Sequence, residues 1–152
     1  MTLLIDYSFQ RKYYPHVLCL DTRTPVSELP THCPVLFWTI VLMSSRFHPQ
    51  YFPLFPSLMR PYEQVLAMCL VRPMLSLLSI QAVHIVSIWP LPTRMQPEDP
   101  SYNYAGMITN AALHIGLHAP GFEREYGFPK CTPNDTELRT KTWLSLFNHN
   151  IT

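Results

Sequence analysis

Proline is the residue that most constrains how this chain folds. The sequence holds sixteen prolines and only four glycines. Many of the prolines fall between apolar runs, at Pro34, Pro49, Pro73, Pro90, Pro100 and Pro120. Because proline lacks an N–H donor and locks φ, it starts helices and stops the preceding ones. Since no segment alternates apolar and polar residues as a half-buried strand does, the sequence predicts an all-α chain of packed helices.

Composition narrows the classes of protein that the chain can represent. Its 152 residues suit one domain, and 47% hydrophobic residues make it too apolar to be disordered. Only 14% of the residues are charged, about half of the usual ~25%, so the chain packs into something larger or lies partly in a membrane. The net charge is +1, with no basic run beyond Arg11-Lys12, which does not favour direct nucleic-acid binding by this segment.

Apolar residues at helical spacing predict a series of buried helices. The run 35–43 is apolar on every side and predicts a buried helix, although a strand remains the alternative at this length. A second helix is predicted over 57–72. A third is predicted to use Pro73 as its first residue and to end near Ile88, before a Trp-Pro pair.

Two stretches carry a weaker pattern. Four prolines between residues 49 and 61 predict an extended loop there. Residues 1–30 predict a short helix near the start, followed by an irregular loop.

The segment 99–117 has the clearest helix boundaries. Asp99 can cap the first turn, with a proline at the first helical position. Gly106 leaves room for a neighbouring helix to approach closely. Gly116 suits the left-handed turn that ends a helix, and Leu117 can fold back on the last turn. The predicted buried face consists of Tyr104, Ile108, Ala111 and Ile115.

The last predicted helix begins near Thr132. Asn134 and Glu137 have the spacing of a capping pair, in which each side chain bonds to the backbone of the other residue. The predicted apolar face consists of Leu138, Thr142, Trp143, Leu146 and Phe147.

Metal ligation is not supported by the histidines and cysteines. His114 and His118 lie four residues apart, as two imidazole ligands on a helix do, but Ile115 stands where the zinc-protease pattern needs glutamate. No C-x-x-C pair exists, so the cysteines predict buried, reduced thiols and no structural zinc site. The cysteines are Cys19, Cys33, Cys69 and Cys131.

No residues are assigned a catalytic or cofactor-binding role, and the sequence predicts that the chain is not an enzyme. Cys131 follows Lys130, whose charge can lower a thiol pKa, but no histidine is placed to act as its base. No serine has the flanking glycines of a nucleophile elbow. The carboxylate pairs Glu98-Asp99 and Glu123/Glu125 are predicted to be solvated loop charges.

The window 74–92 contains no formally charged residue and is long enough to span a membrane. Gln81 and His84 lie in its middle, and polar side chains at that depth are costly. A buried core helix is therefore the favoured interpretation, and a membrane-associated helical protein is the alternative.

Five short motifs follow one another between residues 76 and 143. They are Gln81-Ala82, Trp89-Pro90, Tyr102-Asn103-Tyr104-Ala105-Gly106-Met107, Gly116-Leu117-His118, and Glu137-Leu138-Arg139 with Trp143. In this order they resemble the regulatory middle region of fungal binuclear zinc-cluster transcription factors, called the fungal-specific transcription factor domain. Residues 14–21 and 36–40 resemble the branch that contains regulators of leucine biosynthesis and of the weak-acid response.

The resemblance implies a regulatory role and leaves the DNA-binding chemistry outside this chain. Residues 1–152 are expected to be a partial regulatory domain, truncated at both ends, from a nuclear factor that controls transcription by RNA polymerase II. Zinc and DNA are expected only in the absent N-terminal cluster of a full-length parent. The family also implies a small-molecule effector in some members, and a homodimer formed through regions outside this chain. Effector-binding residues are not assigned.

Overall fold

The computed structural model describes residues 27–151 together with Leu20 and Pro25, and every regular element within them is helical. The α-helices are α1 (Leu29–His32), α2 (Pro34–Arg46), α3 (Phe55–Val71), α4 (Leu77–Ile88), α5 (Ser101–His114) and α6 (Pro133–Ile151). Short 3₁₀ helices cover Phe52–Leu54, Gln96–Glu98 and Glu123–Tyr126. The predicted all-α class is confirmed. The strand alternative for 35–43 is wrong, and most of the prediction for 1–30 lies outside the described residues.

The helices form two compact units, which meet in sequence between Pro73 and Met74. In the first unit, α1 and α3 both pack against α2. In the second unit, α4 packs against α5 and α6, and α5 also packs against α6.

Helix α2 is the core helix of the first unit. It begins with Pro34 in its first turn, and ten of its thirteen residues are buried, as expected for a helix that is apolar all round. The one buried threonine, Thr39, is satisfied twice: its Oγ1 donates to the Val35 carbonyl oxygen at 2.7 Å and lies 2.9 Å from the Tyr62 hydroxyl of α3. This buried hydroxyl pair joins α2 to α3.

The predicted extended loop at 49–61 is wrong over its second half. A 3₁₀ helix occupies Phe52–Leu54, and α3 begins at Phe55. Pro56 lies in the first turn of α3, where a missing N–H donor is tolerated. Pro61 lies inside α3, so the local preference of proline for a helix boundary has been overridden there.

The link between α3 and α4 differs from the prediction. Pro73 does not start α4, because Arg72 is extended and Ser76 is the N-terminal cap of a helix that begins at Leu77. A residue before proline is pushed out of helical geometry, which explains the extended Arg72. The predicted end at Ile88 is confirmed.

Both ends of α5 are set by local chemistry. An Asp99 carboxylate oxygen accepts a hydrogen bond from the Ser101 N–H at 2.9 Å, although Pro100 is the cap and not the first helical residue. At the other end Gly116 has φ +72°. The Gly116 N–H donates to the Leu113 carbonyl at 3.1 Å, and the Leu117 N–H donates to the Ala112 carbonyl at 2.9 Å. These two bonds confirm the predicted glycine turn and define a Schellman motif.

The N-terminal cap of α6 lies two residues before the predicted one. Thr132 and Asp135 form the capping pair: the Asp135 N–H donates to Thr132 Oγ1 at 3.2 Å, and the Thr132 N–H donates to the Asp135 carboxylate at 3.2 Å. The predicted pair of Asn134 and Glu137 is wrong because Pro133 takes the first helical position, which makes Thr132 the cap.

The buried faces of α5 and α6 agree only in part with the prediction. In α5 the buried residues are Ile108 and Ala112, while Tyr104 and Ala111 are half-buried. In α6 Thr142 and Leu146 are buried, but Phe147 is 50% exposed. The membrane-length window 74–92 contains only the twelve-residue helix α4, and no helix in the described part of the chain is long and apolar enough to cross a membrane.

Gly106 does not mark a close helix contact within the described residues. It is exposed in the middle of α5, and apart from its chain neighbours and the backbone of its own helix no described atom lies within 4 Å of the position that an added Cβ would occupy. Replacing Gly106 with alanine is therefore expected to raise the free energy of unfolding by about 0.5–1 kcal/mol, because alanine loses less backbone entropy in a helix. Urea denaturation of the two chains would measure the difference. A lower stability of the alanine variant would contradict the open surroundings of this glycine.

Candidate functional site

Polar side chains join α4 to α6 inside the second unit. Gln81 Nε2 donates to Thr142 Oγ1 at 3.0 Å, and His84 Nε2 lies 2.8 Å from Ser145 Oγ. Both pairs join residues 61 positions apart, so α4 and α6 run parallel in one register. The two residues on α4 lie one helical turn apart, and so do their two partners on α6. Buried polar pairs of this kind oppose sliding of one helix along the other.

Helix α5 runs antiparallel to α6. Near the end of α5, Arg139 Nη2 of α6 donates to the Ile115 carbonyl oxygen at 2.6 Å. Earlier in α5, Thr109 Oγ1 accepts a hydrogen bond from Asn150 at 2.9 Å. The unit is therefore an up-down-up arrangement of α4, α5 and α6, with the first residues of α4 and α6 at the end where α5 finishes.

His84 is the most strongly perturbed titratable group of this unit. Its side chain is fully buried, and its ring centroid lies 5.6 Å from that of His149. Burial lowers the pKa of His84 to about 4, and the neighbouring His149 contributes to this lowering. Its Nδ1 has no hydrogen-bond partner among the described residues. Protonation at Nδ1 would bury an unpaired charge, so His84 is neutral at pH 7.

The Gly-Leu-His motif forms a second contact region. The Tyr126 ring packs directly on the backbone of Gly116. The Tyr126 hydroxyl lies 3.1 Å from His118 Nε2, and the His118 ring lies 5.9 Å from the Trp143 ring. The Gly-Leu-His motif and the tryptophan of the last motif therefore meet in the structure.

Arg139 is a buried cation at the start of α6. Besides its bond to Ile115, its guanidinium lies 5.3 Å from the centroid of the Phe128 ring, in a cation–π contact. Glu123 is buried nearby, and its carboxylate accepts the Gly121 N–H at 2.9 Å. The backbone N–H groups of Gly121 and of Glu123 itself lower the pKa of the Glu123 carboxyl, with a smaller contribution from Arg139.

A cleft of about 260 Å³ opens beside Arg139. Apolar and charged residues both line it, and its volume lies just below the usual range of small-molecule pockets. Its lining includes Leu77, Phe128, Lys130, Cys131, Asp135, Leu138 and Arg139.

The histidines and cysteines singled out in the sequence do not converge. His114 and His118 are both exposed, and His118 bonds to Tyr126. Within the described ranges, no three His, Cys, Asp or Glu side chains come together so that they could hold a metal ion. The prediction of buried thiols holds for Cys33, whereas Cys69 and Cys131 are half-buried and Cys19 lies outside the described residues.

Burial determines the state of two groups that the sequence analysis considered. Glu123 is not the solvated loop charge that was predicted, because it is only 4% exposed. Burial raises the pKa of the Cys131 thiol, and this effect outweighs the opposing influence of Arg139. A raised thiol pKa disfavours the thiolate that a nucleophile needs.

Sequence reasoning named His84, Arg139 and Glu123 but did not predict the contact of His84 with α6 or the burial of Arg139 and Glu123. For His84 a signal exists: Gln81 and His84 recur at one-turn spacing in an otherwise apolar helix, and Thr142 and Ser145 repeat that spacing in α6. Arg139 and Glu123 lie in polar sequence, so the neighbouring residues do not indicate that these two side chains are buried.

Known relatives were found among fungal regulatory proteins. The chain is 32% identical over 145 residues to the putative transcription factor SEF1 of Eremothecium gossypii, and 32% identical over 143 residues to the transcriptional regulatory protein SEF1 of Candida albicans. It is 25% identical over 151 residues to the regulatory protein LEU3 of Saccharomyces cerevisiae. The matches cover 94%, 91% and 90% of this chain but only 14%, 15% and 17% of the relatives.

No protein-family model matches the chain, and no solved structure matches it significantly. The sequence relatives nevertheless agree with the class of protein that the motifs in residues 76–143 indicate, since all three are named as transcription factors or regulatory proteins. The resemblance drawn from the motifs is therefore confirmed, and over nine-tenths of its length the chain is similar to a segment of fungal transcription factors and regulatory proteins.

Proposed function

We propose that this chain is part of the regulatory region of a fungal transcription regulator that acts in the nucleus. The observation that carries the proposal is the 32% identity over 145 residues with the putative transcription factor SEF1 of Eremothecium gossypii. This chain spans 14% of that protein's length. In the proposal, a zinc-cluster domain elsewhere in the full-length protein contacts DNA, and dimerisation uses regions outside this chain.

The role proposed for the segment is to restrain or release transcriptional activation, without catalysis. Its net charge of +1 supplies no basic surface for a phosphate backbone, which supports a role away from DNA. The buried polar contacts of His84 and Gln81 with α6 hold α4 and α6 of the second unit in one register. A domain with one defined packing can present a fixed surface to a partner or to the rest of the regulator.

A segment exchange tests this function. The stretch of the Candida albicans protein that aligns with this chain would be replaced by residues 1–152, and transcription from a reporter promoter of that protein would be measured. The chimera is expected to regulate the reporter as the parent does, because the related segment supplies the same packed unit. A deletion of the same stretch is expected to lose this regulation.

A matched chimera controls for folding of the inserted segment. Leu146→Asp places a charge at a fully buried position of α6, so this chimera is expected to behave like the deletion at equal nuclear abundance. Immunoblots of nuclear extracts would establish that abundance. An intact chimera that is abundant in the nucleus and still behaves like the deletion would contradict the proposed function.

A further inference from the structure

One exposed face of α5 carries no formal charge. Tyr102, Gly106, Asn110 and Leu113 recur at helical spacing, so they form one stripe about 16 Å long. All four are exposed, Tyr102 by 71% and Leu113 by 40%. Helix α5 as a whole contains no Asp, Glu, Lys or Arg. The solvent side of a helix usually carries charged residues, so an uncharged stripe with a tyrosine and a leucine suits contact with another surface.

The stripe is low in its middle and raised at both ends. Gly106 and Asn110 are the small middle residues, and Tyr102 and Leu113 are the large residues at the ends. The space outside Gly106 is open, because apart from its chain neighbours and its own helix backbone no described atom lies within 4 Å of an added Cβ. A glycine in such a position lets the backbone of another helix approach closely.

This shape is complementary to a second copy of itself. If two α5 helices cross antiparallel about a two-fold axis, Tyr102 of one copy meets Leu113 of the other, and Gly106 meets Asn110. Each of these contacts then occurs twice, as in any two-fold interface. A stripe without formal charge places no like charges opposite each other. A strongly acidic or basic partner would find no counter-charge on it.

The groups that flank the stripe favour the antiparallel direction. Glu98 is exposed just before α5 begins, and His114 is exposed in its last turn. In an antiparallel pair each Glu98 lies beside His114 of the other copy, whose imidazole N–H can donate to the carboxylate. The N-terminus of each helix also lies beside the C-terminus of the other, so the helix dipoles attract. A parallel pair would bring the two Glu98 carboxylates together.

We propose that α5 pairs with α5 of a second copy of this chain, in an antiparallel contact centred between Gly106 and Asn110. One helix crossing buries less than the ~1,200 Å² of a stable interface, so we expect weak dimerisation, with a Kd on the order of 100 µM. The contact does not rest on the proposed regulatory function. Dimerisation through regions outside this chain would strengthen it, by raising the effective concentration of the two helices to about the millimolar range.

Self-association of the 152-residue chain tests the contact. Sedimentation velocity between about 10 and 500 µM is expected to show a monomer that becomes a dimer as the concentration rises. NMR on an equal mixture of isotope-labelled and unlabelled chain then locates the interface. Nuclear Overhauser effects between the Tyr102 ring of one copy and the Leu113 methyl groups of the other are expected. A chain that stays monomeric at the highest concentration, or intermolecular signals that leave out α5, would overturn the proposal.

A matched pair of arginine variants tests the middle of the stripe. Gly106→Arg fills the open space and places two like charges across the two-fold axis, so it is expected to weaken dimerisation by at least about tenfold. Gln64→Arg adds the same side chain at an exposed position of α3 and should leave dimerisation unchanged. Circular dichroism of both variants establishes that the helices are retained. Equal weakening by the two variants would mean that net charge, and not the stripe, controls association.

A charge exchange tests the direction of the pair. Glu98→Lys and His114→Glu are each expected to weaken dimerisation by about threefold. The double variant is expected to recover the original affinity, because the new lysine of one copy then lies beside the new glutamate of the other. A double variant that dimerises no better than either single variant would contradict the antiparallel contact.

Discussion

Replacing Gly116 with alanine is expected to lower the free energy of unfolding by about 3 kcal/mol. Gly116 has φ +72°, where an L side chain is strained, and an added Cβ would lie 2.5 Å from Cγ of Tyr126. Moving the ring away is costly, because the crowded atoms extend from Cγ along one edge of the ring and its hydroxyl is bonded to His118. Urea denaturation followed by circular dichroism would measure the loss.

Gly127→Ala is the matched control for this prediction. Gly127 has a similar backbone angle, φ +80°, but nothing in the described residues lies within 4 Å of an added Cβ. Gly127→Ala should therefore lower the free energy of unfolding only by the backbone strain, about 1–2 kcal/mol. If the two variants lost the same stability, the contact between Gly116 and the Tyr126 ring would contribute nothing.

Acidification from pH 7 to pH 5 is expected to lower the free energy of unfolding by about 2 kcal/mol through His84 alone. In the folded chain the pKa of His84 is about 4, below its ordinary value of 6.5. Between these values the unfolded chain binds a proton that the folded chain does not. The stabilisation is therefore fully present above pH 6.5 and is lost progressively as the pH falls towards 4. Urea midpoints measured across this range would give the slope.

Above pH 5 the loss of stability that His84 causes can be distinguished from the loss that the carboxylates cause. The lowered pKa of the Glu123 carboxyl adds a loss of stability only below its ordinary value of 4.5. Burial also lowers the pKa of His149, which adds a loss of the same sign above pH 5. His84→Gln should flatten most of the slope, and His149→Gln a smaller part. The His84 ring signals can also be titrated by NMR in the folded chain. A midpoint near 6.5 would contradict the prediction.

The helix boundaries show how much of the fold was predictable. The end of α5 was correct because Gly116 and Leu117 act through hydrogen bonds to residues three and five positions away, which are local in the sequence. The start of α6 near Thr132 was correct, but its capping pair was placed two residues too late, because two capping pairs competed and Pro133 decided between them. The helix predicted over 57–72 was correct to within two residues, whereas the loop predicted over 49–61 was wrong in its second half, because proline also suits the first turn of a helix.

The candidate site was less predictable than the fold. His84 lay in an apolar window where its polarity counted only against a membrane helix, and its partner Ser145 lies 61 residues away. Arg139 and Glu123 stand in polar sequence that predicts exposure, yet both are buried. Gly106 was predicted to allow close approach of a neighbouring helix, but no such helix lies next to it among the described residues.

The sequence by itself determined the helical class and most helix ends, because prolines, glycines and caps act on the residues next to them. It also determined the relation to fungal regulators, because the order of the motifs can be read directly from the sequence. Only the tertiary structure decided that His84 is buried against α6, that Arg139 lines a cleft and that Tyr126 covers Gly116. Each of these depends on residues brought together from distant positions. Burial and pKa follow from that three-dimensional packing and not from local sequence.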